Sequence, residues 1–216
     1  MTNNHRLVLA FTGFSAHTSR LKLVTDVGHA LVRNGFSVLV VDADGTGGIG
    51  MEIATNEAVT RHGLCDLLLG QMAPHQVIGR SRTPALDFVP AGAGLNELDE
   101  YLDEHRLDPV VMGKRVFQVL RQQYDYVLIA TSNDRSVAST LCALAESDAV
   151  VVMTAMADGD ALDAPEELAD AYLVRKCFNP KLTVAGIIGL DSAIGEHARN
   201  PADHATDIVR SLSRDN

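Results

Sequence analysis

The chain has 216 residues, 46% of them hydrophobic and 21% charged, enough for one well-buried core and too few for two. Eighteen Lys and Arg against 28 Asp and Glu leave a net charge of -10, which biases the surface against nucleic acid and anionic membranes. The opening MTNNHRLVLAF lacks the basic start and long apolar centre of an export signal, and no apolar run reaches the roughly 18 residues of a bilayer span, so a single cytoplasmic domain over 1–216 is expected.

In chain order, short runs rich in Val, Ile and Leu predict strands at 6–11, 37–43, 86–91, 124–131, 148–155 and 182–190. Helices are predicted between them. LKLVTDVGHALVRN carries Leu21, Leu23, Val24, Val27, Leu31 and Val32 on one stripe and stops at Gly35. VVMGKRVFQVLRQQ, SVASTLCALAES and PEELADAYLVRKC repeat that period. The pattern is an α/β fold: a three-layer, mostly parallel twisted sheet with helices on both faces. GTGGIGMEIATNEAVTRHG, residues 45–63, reads as a loop after the second strand. In such a sheet ligands bind beyond the carboxyl ends of the strands, which places residues 12–20, DADGTGG, AGAG and ATSND on one edge.

Three cysteines, Cys65, Cys142 and Cys177, have no CxxC spacing and read as buried free thiols. The scattered histidines, among them His17, His29, His62, His75, His105, His197 and His204, lack the close spacing of a zinc site. Ser15, Ser19 and Ser132 have no nucleophile-elbow context, so no catalytic residue is assigned. Asp42 and Asp44, just past the second strand and followed by Gly45, suit a turn as well as a metal or nucleotide.

Several collinear segments resemble the ParA/MinD family of deviant P-loop ATPases, which position plasmids, chromosomes, division sites and other large cargo. TDVGHALVRNGFSVLVVDAD is similar to the family's first helix and a second strand ending in VDxD; GLCDLLLG with LDFVPAGAGL, QQYDYVLIATSND and FNPKLTVAGIIGLDS match later family segments. The resemblance spans nearly the whole chain and implies the P-loop NTPase fold.

The same resemblance sets SAHTSRLK on the phosphate loop, where the family has a glycine-rich sequence ending in lysine and threonines. Ser15 then takes the place of the lysine that reaches a dimer partner's nucleotide, Ala16, His17 and Ser19 those of glycines, Arg20 that of the phosphate-binding lysine and Leu21 that of the magnesium-binding threonine. A three-residue slide recovers Thr18 but still supplies no lysine. Phosphate loops use glycine where the backbone needs positive φ or close approach to the anion, so side chains here open the curl. Ala130 falls where the family holds magnesium with an aspartate; Asp125 is too early and Asp134 too late to replace it. Asp42 and Asp44 match both family aspartates.

Phosphoryl transfer needs the cradle, the cation clamp and a positioned water together. The expectation is a pseudo-ATPase with no required cofactor, and any ATP and Mg²⁺ site would use Ser19, Arg20, Asp42 and Asp44. It would act as a homodimer, a heterodimer with a related ATPase, or with another protein partner, in positioning, partition or assembly of a bacterial cargo. Interface candidates are Ser15, Arg20, Asp44 and Asn133. Two alternatives stand beside it: an active partition ATPase with an atypical loop, and a nucleotide-independent DNA-binding module using Arg80, Arg82, Lys114, Arg115, Arg121, Arg175, Lys176 and Lys181. The tail lacks the basic amphipathic face of a membrane-surface helix, so no membrane insertion is expected.

Overall fold

A computed structural model of the chain describes residues 6–13, 17–45, 61–81, 86–132, 137–157, 160–161, 164–190 and 201–212. The strands are β1 (Leu7–Gly13), β2 (Val38–Ala43), β3 (Gly79–Arg80), β4 (Asp87–Val89), β5 (Tyr126–Thr131), β6 (Ala149–Ala157), β7 (Asp160–Ala161) and β8 (Thr183–Leu190). The helices are α1 (His17–Arg33), α2 (Leu64–Leu69), α3 (Pro74–Val77), α4 (Leu98–His105), α5 (Pro109–Arg121), α6 (Ala138–Glu146), α7 (Ala164–Cys177) and α8 (Pro201–Leu212), with a 3-10 turn at Leu95–Glu97.

All six strands read from the sequence are present, joined by the short β3 and β7. The sheet has eight strands ordered β3-β4-β2-β5-β1-β6-β7, with β8 beside β6. Pairing is parallel except for β3 on β4 and β7 on β6. Chain order leaves β1 for β2, turns outward to β4 and returns to β5, so β5 and β6 flank β1. That reversal puts the carboxyl ends of β1, β2 and β5 at a switch point.

The interior strands are apolar throughout because both faces are covered. On one face Leu7, Leu9 and Phe11 of β1 pack with Leu21, Val24, Val27 and Leu31 of α1 and with Ala205 and Val209 of α8. On the other, Val8 joins Leu39 and Val41 of β2, Val116, Phe117 and Leu120 of α5, and Cys142 of α6. A third cluster sets Ala10 and Val150 against Ala171 and Val174 of α7. The two-residue alternation along β1 thus sends its side chains to opposite layers. No helix among the described residues is long and apolar enough to cross a membrane.

Cys65 and Cys142 are buried, as expected, but Cys177 is exposed. It ends α7, just before the chain re-enters the sheet as β8. The predicted loop over 45–63 lies outside the described residues apart from its two ends.

Candidate functional site

The carboxyl ends of β1, β2 and β5 meet the start of α1 on one edge of the sheet. β1 ends at Gly13, whose φ is +127°, and a Cβ there would sit 1.9 Å from the Met153 carbonyl oxygen of β6. Only glycine tolerates both that conformation and that approach. The chain re-enters as α1 at His17, so the unsatisfied amide groups of the helix's first turn lie at this edge, where they favour negative charge.

Arg20 belongs to that first turn and is fully buried. Its Nη2 donates to Asp44 Oδ2 at 2.7 Å and its Nη1 to the Gly13 carbonyl at 3.0 Å. Asp44 is also buried, and its own amide donates to Asp42 Oδ1 at 3.1 Å. Asp42, near the end of β2, thus holds the turn that follows, and Asp44 in that turn neutralises Arg20. Leu21 points the other way, into the core beside α1's apolar stripe.

The neighbouring strands complete the edge. Asp42 stands in register with Ala130 of β5, so a buried methyl group occupies the place opposite the first aspartate. Thr131 follows, its Oγ1 donating to the Phe11 carbonyl at 3.2 Å and tying β5 to β1. Asp125, at the opposite end of β5, accepts from the Ser37 amide and hydroxyl at 2.8 and 2.7 Å, and so takes no part in the site.

Of the residues predicted for this edge, Arg20, Asp42 and Asp44 come together. Ser19 lies in the first turn of α1, its side chain outside the described set, and Ser15, Asn133 and Asp134 fall outside the described residues. Sequence reasoning missed Asn96 and Ser139. A Cβ on Gly45 would lie 1.8 Å from Asn96 Oδ1, so Asn96 leaves room there for glycine alone, and Ser139 Oγ donates to the Ala43 carbonyl at 2.9 Å and holds the end of β2. Nothing local marks them, because their partners lie far away in the chain.

Of the basic residues, Lys114, Arg121 and Lys181 line one cleft with Glu146 and Asp148, and Arg82 lies outside the described residues. Arg80 is paired with Asp87, Arg121 with Asp148, and Arg115 donates to the Leu68 carbonyl at 2.6 Å. His62 pairs with Asp66, and His105 stacks on Tyr101. Among the described residues no three His, Cys, Asp or Glu side chains gather as metal ligands.

A model of the AAA domain family AAA_31 matches residues 18–184. The chain belongs to this family of ParA/MinD-type P-loop ATPases. It is 27% identical over 194 residues to the chromosome partitioning protein ParA of Caulobacter vibrioides, covering 87% of this chain and 70% of that one. To the sporulation initiation inhibitor protein Soj of Bacillus subtilis it is 25% identical over 187 residues, 84% and 71% of the two chains. Among solved structures, cobyrinic acid a,c-diamide synthase from Mycobacterium smegmatis with a bound ATP analog and magnesium superposes with a TM-score of 0.73 at 20% identity, over 96% of this chain and 80% of that one. The ParA/MinD-type fold accounts for the strand order and for the edge on which Arg20, Asp42 and Asp44 meet. Two segments that the family resemblance linked are joined physically, since the Leu64 amide that opens α2 donates to the Pro90 carbonyl after β4 at 2.8 Å.

Proposed function

We propose that this ParA/MinD-type chain is a pseudo-ATPase that works by binding protein, as a dimer or with a related ATPase or other partner, in positioning, partition or assembly of a bacterial cargo. The observation that carries the reading is the buried ion pair between Arg20 and Asp44. The cation standing where the family binds phosphate already has a carboxylate at 2.7 Å. A triphosphate would have to displace it and would then face Asp44 at close range, a like charge in a dry setting. Separating such a pair costs about 3–5 kcal/mol, or roughly two to three and a half decades of affinity. Ala130 has no oxygen for magnesium, and Leu21 is committed to the core. The family-model match also begins at residue 18, beyond the loop positions 15–17.

An active ATPase is the second reading. It is favoured by the relatives' partition names and by the nucleotide-bound structure of the same fold. DNA is disfavoured as a partner by the charge of -10 and by the ion pairs that engage Arg80 and Arg121. Isothermal titration of the full chain with ATP and Mg²⁺ separates the readings. The pseudo-ATPase gives no saturable heat at millimolar nucleotide. Saturable, Mg²⁺-dependent binding that Arg20→Ala and Asp42→Ala each weaken, accompanied by release of inorganic phosphate, would establish the ATPase instead.

A further inference from the structure

The two ends of the sheet are built differently. At one end the edge strand β3 is two residues long, and its Arg80 donates through Nε and Nη2 to the Asp87 carboxylate of β4. A short strand bearing a charge is how proteins keep a sheet from growing. At the other end β8 runs eight residues, TVAGIIGL, with no charge and no proline. Among the described residues it pairs with β6 alone.

Apolar side chains of β8 are exposed as well. Among the described residues, Val184 at 38% and Ile187 at 39% are exposed on β8 itself, and Tyr172 at 62% and Leu173 at 58% on the helix α7 that precedes it. The register sets Val184 opposite Val150 and Ile187 opposite Val152. Val150 belongs to the cluster that α7 covers, so Val184 and Ile187 stand on the α7 face, at its open rim. An unguarded strand and an apolar fringe therefore occur together.

We propose that β8 is a self-association edge, on which a second copy of this chain adds its own β8 antiparallel about a two-fold axis. The occupant follows from the chemistry. An uncharged strand offers a row of backbone N–H and C=O groups that another strand satisfies, and under two-fold symmetry the same strand serves both sides. Uncharged side chains on each β8 bring no like charges together, which matters in a protein of net charge -10. Pairing also lets Val184 and Ile187 of the two copies meet across the seam. A stable interface needs roughly 800 Å² per partner, and a strand contact approaches it only when flanking side chains join. The contact lies apart from Arg20 and Asp44, and it stands whether or not the chain binds ATP.

Light scattering and hydrogen exchange on the full chain, followed over a wide concentration range without nucleotide, test this. The expected result is a dimer whose residues 183–190 are protected when concentrated and exchange faster on dilution. Ile187→Lys raises the dissociation constant at least about tenfold while leaving the circular dichroism unchanged. The dimer also persists at high salt, since no ion pair holds it. A wild-type chain that stays monomeric overturns the proposal, including the case in which β8 takes a strand from another protein. So does β8 protection that is independent of concentration, because the chain would then cover its own edge. A dimer unmoved by Ile187→Lys and Val184→Lys in folded protein overturns it as well.

Discussion

Arg20 decides more about this molecule than any other single side chain. It sits in the first turn of α1, is fully buried, and donates to Asp44 and to the Gly13 carbonyl. Removing one member of a buried pair leaves the other charge without its counter-charge, so Arg20→Ala and Asp44→Ala each cost about 3–5 kcal/mol. The double variant Arg20→Met/Asp44→Ala loses clearly less than the sum of the two, because the members of the pair are coupled. Chemical denaturation midpoints of the three variants measure this. Equal additivity would show that the two groups do not act as a unit.

At the scale of the element, α5 shows how a helix is started by its neighbours in sequence and finished by the core. Asp108 caps it, Oδ1 accepting from the Val110 amide at 2.8 Å, and Pro109 takes the first helical position, where its missing amide does no harm. Met112, Val116, Phe117 and Leu120 then face the sheet. Asp108→Ala lowers stability by about 1 kcal/mol, and Asp108→Ser retains most of it. Thermal unfolding distinguishes the two; equal loss in both would mean that the carboxylate acts elsewhere. α7 is the contrasting case. Its apolar residues do not fall on one face, so Ala171 and Val174 are buried while Tyr172 and Leu173 are exposed.

At the scale of the whole molecule, the core controls access to the thiols. Burial raises Cys65 to about 11, with Asp66 and Glu97 adding to the shift, and raises Cys142 to about 12. Both therefore remain thiols near neutral pH, whereas Cys177 is exposed at the end of α7. Titration with a thiol-reactive dye at pH 8 should modify one thiol per chain at once and the other two only on unfolding. Because both folded values lie above the ordinary 9, their contribution to stability is intact below about pH 9 and lost as pH rises toward 11 and 12. Immediate modification of three thiols in native protein would contradict the packing around α2 and α6.

Much of this fold is legible in the residues themselves. Interior strands buried on both faces need unbroken Val, Ile and Leu, so the runs that form β1, β2, β5, β6 and β8 declare themselves locally, as does the stripe of α1. Asp44 marks the end of β2, since a carboxylate followed by glycine suits the turn. The sequence also shows that residues 15–20, where the family resemblance sets the phosphate loop, contain no glycine. What no local pattern contains is which partner each polar group finds. Arg20 reaching Asp44, Asn96 pressing on Gly45 and Ser139 holding Ala43 depend on segments brought together only when the sheet closes. That β8 pairs with β6 alone among the described residues is likewise a property of the finished sheet, because a strand's place in the order is fixed by packing between distant segments and not by its own residues.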